Sequence, residues 1–260
     1  MSLLQMSAQE FEKLLLVMLR VGGIMTVAPV FGHRNVPKTV KIGFIFIISI
    51  IILPTITLPT DIPPELWALS GMLIKEAAAG LAIGFISLLL FIAVQFAGEL
   101  IGLQMGFGIV NVMDPSSQTQ VPLIGQFQFL LAMLIFLSLN GHHLILSAIV
   151  GSFQIIPLGQ ITFTNMSAEL MVRASVDTIA LAIKLGAPCI VTLFLLDVAL
   201  GIVARTVPQM NIFIVGFPLK ISVGLFMLAA SMPIFGYVFG KLLQGLDSNL
   251  NGLIMAMRPA

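Results

Sequence analysis

Apolar residues run through this chain in long blocks that short polar stretches separate. These blocks predict helices that begin near Ser7, Ile42, Glu65, Leu123, Ala168 and Ile212. The third helix, over residues 65–105, would be about twice as long as the hydrocarbon core at about 1.5 Å per residue. It must therefore kink, tilt or break, and Gly80 and Gly84 are the weak points. The pattern predicts an all-α fold of helical hairpins with kinked long helices.

Composition places these helices in a membrane-type protein. Hydrophobic residues make up 58% of the chain and charged residues 9%, against about 45–50% and 25% in soluble domains. Twelve Lys and Arg oppose eleven Asp and Glu, so the charge balance gives no indication of nucleic-acid binding. If about six helices span the membrane, the basic residues disagree about which loops face the cytoplasm. Arg34 and Arg205 favour one topology, and Lys75 and Arg173 favour the opposite one.

The polar stretch after the third helix is the first candidate functional feature. Gly98, Gly102 and Gly106 recur every fourth residue, and such small residues let helix backbones pack closely. The following polar segment cannot face lipid, because lipid leaves backbone groups unpaired at a cost of several kcal/mol each. It either lines or closes a passage inside an assembly, or it is a surface connection. Its candidate residues are Gly106, Phe107, Gly108, Asn111, Met113, Asp114, Pro115, Ser116, Gln118, Gln120 and Pro122.

Several charged residues interrupt the apolar blocks. Each costs at least ~2.5 kcal/mol near the middle of a bilayer, so we expect protein to cover them. Either the helices pack into an oligomer or they do not all cross a bilayer. Lys184 and Asp197 fit either an ion-coupling pair of a transporter or structural partners between helices. The predicted buried charges are Arg20, Glu76, Glu99, Lys184 and Asp197.

Other reactive residues give no catalytic pattern. His142 and His143 have no carboxylate nearby in the sequence, which favours a surface pair at a helix end. No Ser/His/Asp, Cys/His or zinc-ligand spacing occurs, so we expect neither an enzyme nor a cofactor or metal site. The tail from Lys241 has the period of an amphipathic helix. It lies at a membrane interface, docks on a partner, or closes this chain's own core.

Three segments carry a resemblance to a known family. They are LRVGGIMTVAPVFGHRNVP at residues 19–37, GFGIVNVMDPSSQTQVPLIGQF at residues 106–127 and ARTVPQMNIFIVGFPLKI at residues 204–221. The chain resembles the flagellar biosynthesis FliR family of type III secretion export-gate proteins over nearly its whole length. Related subunits serve injectisomes, and the MDPSSQTQ segment is more similar to the flagellar branch.

The resemblance implies a subunit of a helical hetero-oligomeric export gate. Its partners would be FliP, FliQ and FlhB homologues. It would be located in the bacterial inner membrane at the flagellar basal body, and its substrates would be unfolded flagellar proteins. Residues 106–122 would form a plug in the closed pore. Residues 1–167 would be FliP-like helices including the plug, and residues 168–260 a FliQ-like hairpin with the amphipathic tail. A secondary transporter or channel for small solutes is the alternative, although the sequence has no evident inverted repeat.

Overall fold

A computed structural model describes residues 8–33, 35–56, 66–108, 122–209 and 211–259. These residues form α-helices and turns without a strand, which confirms the all-α prediction. A short 3-10 turn, Leu53–Thr55, follows the second helix. The helices are α1 (Ala8–Val27), α2 (Lys38–Ile52), α3 (Leu66–Met105), α4 (Leu123–Ser138), α5 (Gly141–Ile155), α6 (Asn165–Thr206) and α7 (Ile212–Ala256).

Fewer helices can cross a membrane than the six spans expected. Within the described residues, α2 with its 3-10 turn, α3, α6 and α7 are long and apolar enough. A fifth span results if α4 and α5 count as one broken span, because their 16 and 15 residues are too few separately. Helix α1 does not qualify because Glu10, Glu12, Lys13 and Arg20 lie within its 20 residues.

One compact unit contains the described residues up to 90, between 137 and 175 and from 243 onward. Its centre is the crossing of α1 and α3. A Cβ on Gly80 would overlap the Arg20 carbonyl oxygen, and a Cβ on Gly84 would lie 2.9 Å from the Ile24 carbonyl oxygen. Helix α3 is continuous through both glycines, so they do not break it. Close packing against α1 outweighs the roughly 1 kcal/mol that glycine costs a helix interior.

The C-terminal tail belongs to this same unit. It is not a separate helix, because α7 continues through it to Ala256. Leu246, Leu250 and Leu253 are buried. The hydroxyl of Thr164 donates a hydrogen bond of 2.9 Å to the Ala256 carbonyl oxygen at the end of α7. Of the three interpretations of the tail, the structure supports closure of the chain's own core.

The second unit contains the described residues between 91 and 136 and between 176 and 242. Phe91 is fully buried and contacts three other rings edge-on, with centroid distances of 5.7 Å to Phe129, 5.3 Å to Phe136 and 5.8 Å to Phe239. Such edge-to-face pairs contribute about 0.5–1.5 kcal/mol beyond their buried area. This aromatic contact joins α3, α4 and α7 within the unit that also holds both ends of the polar loop.

Candidate functional site

The polar loop begins at a well-defined helix end. Helix α3 stops at Met105, and Gly106 follows with a φ of 94°. The Gly106 N–H donates to the Leu103 carbonyl oxygen at 3.1 Å, and the Phe107 N–H donates to the Gly102 carbonyl oxygen at 3.1 Å. These two bonds form a Schellman motif, in which the left-handed residue is usually glycine. The sequence therefore fixes where the helix ends and the loop starts.

The loop ends where α4 packs closely on α3. The Pro122 carbonyl oxygen accepts a 2.8 Å hydrogen bond from the Gln126 N–H in the first turn of α4. A Cβ added to Gly98 would lie only 2.5 Å from the Cα of Gly125, so these two backbones are in direct contact. At Gly102 the nearest atom to such a Cβ is 3.7 Å away, on Ile124. The closest approach of the two helices is therefore at Gly98.

Both loop ends pack on one hydrophobic cluster, which we call the loop anchor. Phe107 of the loop itself packs against this cluster. Cys189 is 1% exposed within it. Because residues from both sides of the loop lie in the anchor, the chain leaves it and returns to it. The loop anchor consists of Ile101, Met105, Ile124, Cys189, Leu193 and Leu228.

Helix α7 packs directly on the start of the loop. A Cβ on Gly106 would lie 2.7 Å from the Phe217 ring, and a Cβ on Gly224 would lie 2.7 Å from Cγ of Met105. Phe217 and Gly224 are seven residues apart and so lie on one face of the helix. The first loop residue is thus confined both by its backbone conformation and by an aromatic ring.

The structure describes only the two ends of the predicted loop. Gly106, Phe107 and Pro122 have the positions given above, and a Cβ added to Gly108 would lie 3.1 Å from Cδ2 of Leu103. The remaining candidate residues lie outside the described residues, so their role stays a prediction. They are Asn111, Met113, Asp114, Pro115, Ser116, Gln118 and Gln120.

Arg20 and Glu76 form a fully buried ion pair in the first unit. The Arg20 Nε donates to Glu76 Oε2 at 2.5 Å, and Nη2 donates to Oε1 at 2.9 Å. The remaining guanidinium nitrogen, Nη1, donates to the carbonyl oxygens of Ser152 and Ile156 at the end of α5. Oε1 also accepts the Gly159 N–H at 2.8 Å. The network joins α1, α3 and the end of α5, and its charged groups are paired without a partner chain.

The other three predicted buried charges are more exposed in the single chain. Glu99 is half-buried and accepts a hydrogen bond of 3.1 Å from Gln95. Lys184 is exposed, so its burial in an assembly stays a prediction. Asp197 pairs with Lys220 of α7. Lys184 and Asp197 do not pair with each other, because thirteen residues along one helix separate them by about 20 Å. Asp197 is instead a structural partner between α6 and α7.

Lys220 is the residue that sequence reasoning missed. It is the single charged residue between residues 212 and 240. Charged side chains in apolar helices tend to pair with one another. That rule selects Lys220 as a partner for a lone acid, but the sequence does not say which acid it reaches.

The two histidines lie in the first turn of α5. They follow Asn140, which has a φ of 58° and separates α4 from α5. His143 is exposed and His142 is half-buried, with ring centroids 4.2 Å apart. The surface-pair interpretation agrees with the exposure of His143.

Taken together, the described residues define a helical membrane-type protein in which both flanks of the polar segment after α3 are held by close packing. A family profile described as "Bacterial export proteins, family 1" matches residues 11–246. The chain belongs to this family.

Several relatives cover most of the chain. It is 44% identical over 231 residues to the flagellar biosynthetic protein FliR of Bacillus subtilis (strain 168), covering 86% of this chain and 87% of the relative. It is 34% identical to the protein of the same name from Escherichia coli (strain K12), covering 84% of this chain and 83% of that relative. It is 33% identical to the protein of the same name from Aquifex aeolicus (strain VF5), covering 88% of this chain and 89% of that relative.

Proposed function

We propose that the chain is a subunit of the flagellar type III secretion export apparatus, located in the bacterial inner membrane at the flagellar basal body. Its relatives are flagellar biosynthetic proteins over most of both chain lengths. Its apolar helices suit a membrane-embedded subunit. The part it takes in export is that of a structural channel component, not of an enzyme.

The observation that carries the functional role is the anchoring of the polar loop. Met105 and Ile124, which flank the loop, belong to the loop anchor, and Phe107 packs against it. A Schellman motif lies at one side of the loop and the Gly98–Gly125 contact at the other. Loops longer than about 12–15 residues are uncommon and are usually functional. The contacts at both flanks fix the place in the fold where the loop begins and ends. In the proposed role, residues 106–122 plug the idle channel and yield to a passing unfolded chain.

Unpaired apolar faces support an assembly with other subunits. On α2, Ile42 and Ile51 are 61% and 64% exposed, and on α7 Phe213 and Phe226 are both 71% exposed. Large contiguous apolar patches mark protein or membrane contacts. We assign these faces to FliP, FliQ and FlhB homologues and to lipid. In this assignment residues 1–167 take the FliP-like part and residues 168–260 the FliQ-like part.

Co-expression tests the proposal. The chain is produced alone and together with FliP and FliQ homologues from the same bacterium, and both samples are examined by size-exclusion chromatography in detergent. We expect aggregation of the chain alone and a stable complex with its partners, because one chain leaves much apolar surface uncovered. A monodisperse monomer that binds neither partner and transports a small solute would overturn the proposal in favour of a transporter.

A further inference from the structure

Helix α6 has a packed face and an exposed face in the second unit. Gly186, Cys189 and Leu193 are buried, and a Cβ on Gly186 would lie 3.6 Å from the Ala97 carbonyl oxygen of α3. At about 3.6 residues per turn, the opposite side of α6 carries a line of exposed residues. We call this line the outer stripe, and it consists of Asp177, Ala180, Lys184, Val191, Leu195, Val198 and Ile202.

Lys184 is an isolated charge within the outer stripe. It is the single charged residue between Asp177 and Asp197, and it lies near the middle of the 42-residue helix. Its side chain is exposed and forms no hydrogen bond or ion pair with any residue that the structure describes. Asp177, the nearest acid along the stripe, is two helical turns or about 10 Å away. The single chain therefore leaves this ammonium group without a counter-ion.

The backbone at Lys184 also lacks one of its usual hydrogen bonds. Pro188 lies inside α6 and has no N–H, so the Lys184 carbonyl oxygen does not receive the bond that a regular helix supplies. Ala180 and Ala187 lie one turn to either side of Lys184, and such small residues let a second helix backbone approach closely. Lys184 thus combines an unpaired ammonium group with space for a neighbouring helix.

The rest of the stripe determines what can cover this charge. Val191 and Leu195 are 56% and 62% exposed, so the surface beside Lys184 is apolar. Lipid would cover these two side chains, but an ammonium group in lipid is costly, and charged side chains in apolar helices pair with one another. An apolar helix that carries one carboxylate would cover the apolar residues and neutralise Lys184 at the same time.

We propose that the outer stripe binds an apolar helix of a neighbouring subunit, and that this helix places an Asp or Glu carboxylate against Lys184. The inference rests on the proposed function as a subunit of the export apparatus, and it adds the chemistry of the partner on this stripe. The ion pair also sets the alignment of the two helices, because a shift of either one leaves both charges unpaired in an apolar interface.

The first test compares variants of the chain that are co-expressed with FliP and FliQ homologues. The measured quantity is the amount of partner subunit that co-purifies in detergent, divided by the amount of the chain. Lys184→Met keeps the length of the side chain and removes its charge. Matched controls are Lys38→Met, at an exposed lysine on α2, and Leu195→Met, an apolar exchange within the outer stripe.

We expect Lys184→Met to lower the recovery of partner about tenfold or more, because it leaves the partner's carboxylate buried without a counter-ion. Both controls should match the unaltered chain. A lysine that faces lipid predicts the opposite result, because Lys184→Met then removes a charge from an apolar solvent. Recovery equal to or above that of the unaltered chain would overturn the inference.

The second test identifies the partner helix. A photoreactive benzoylphenylalanine is placed at position 180 or 191 in cells that make the complete apparatus, and the crosslinked peptide is sequenced by mass spectrometry. We expect a helix of another subunit with an Asp or Glu within about one turn of the linked residue. Lys184→Glu together with a change of that acid to Lys should restore recovery, whereas each change alone lowers it. Crosslinks to lipid alone, a helix without an acid, or no restoration would each contradict the inference.

The unaltered chain separates this inference from the proposed function. If it co-purifies with the FliP and FliQ homologues and Lys184→Met does so equally well, the inference fails and the proposed function stands. If the unaltered chain forms no complex with them, the proposed function fails, and the inference fails with it.

Discussion

Adding a single methyl group should lower the stability of the complex at Gly98 but not at Gly102, although the two glycines lie one turn apart on α3. At Gly98 the new Cβ would meet the Gly125 Cα at 2.5 Å, the Gly125 nitrogen at 2.7 Å and Gln128 Oε1 at 2.8 Å. Two of these three atoms belong to the backbone of α4, so no side-chain rotation relieves the overlap. At Gly102 the nearest atoms are on Ile124 at 3.7 and 3.8 Å, which is ordinary contact.

The expected free energies follow from these distances. Overpacking a tight contact costs typically about 1–3 kcal/mol, and Ala gains up to about 1 kcal/mol over Gly within a helix. Gly98→Ala should therefore be destabilising by about 0–2 kcal/mol after this offset. Gly102→Ala overpacks no contact, so only the higher helix propensity of Ala acts. The change should be neutral or stabilising by up to about 1 kcal/mol.

Thermal unfolding of the purified complex measures the difference. For a chain of this size, 1 kcal/mol changes the Tm by about 2–4 °C. We expect Gly98→Ala to unfold below, and Gly102→Ala at or above, the temperature of the unaltered chain. Gly102→Ala unfolding at a lower temperature than Gly98→Ala would refute the reasoning that α3 and α4 are closest at Gly98.

Three further changes test other parts of the structure. Replacing Glu76 with Gln should cost about 3–5 kcal/mol, measured from the Tm of the complex, because the buried Arg20 charge loses its counter-ion. As a control, Arg173→Ala removes the exposed ion pair with Glu169 and should cost below about 1 kcal/mol. Leu253→Ala in the tail should cost about 2–5 kcal/mol, and the matched exposed change Met255→Ala should leave the Tm nearly unchanged. Gly106→Ala should lower both the Tm and the export of flagellar subunits, because φ is 94° and the Phe217 ring leaves no room for a Cβ; normal export at normal protein level would contradict this.

The helix boundaries were predictable because they depend on local signals. Residues 65–105 were expected as one helix, and the structure has Leu66–Met105. Gly106 ends it by the left-handed conformation that glycine adopts without strain. The Asn140–Gly141 pair ends α4 by the same physics. Apolar blocks and left-handed residues can each be identified without knowing what packs against them.

The pairing of distant residues was not predictable from the same signals. Arg20 and Glu76 are 56 residues apart in sequence. The sequence predicted only that each is buried by protein, without naming its partner. Asp197 and Lys184 were interpreted as an ion-coupling pair or as structural partners between helices, and the sequence did not indicate that Lys220 of α7 lies beside Asp197. The glycine spacing marks one face of α3, yet it does not indicate that α4 approaches closest at Gly98. Such contacts depend on how helices align, which one helix's sequence does not determine.

What covers the apolar face of the C-terminal tail was also not predictable from the sequence. Its three- and four-residue period was compatible with a membrane surface, a partner or the chain's own core. The structure buries Leu250 and Leu253 in the first unit, where Thr164 also binds the carbonyl of Ala256. Periodicity identifies an apolar face, and only the packing shows what covers it.

Leak through the assembled gate with and without the polar middle of the loop tests the central claim most directly. Cells make the complete gate either with the unaltered chain or with a short Gly/Ser segment in place of residues 111–120, and entry of a small solute is measured at equal amounts of gate. The anchored loop ends predict that the shortened gate still assembles and that solute enters faster than in cells with the unaltered gate. Equal entry together with normal export of flagellar proteins would show that the loop is only a connection between α3 and α4.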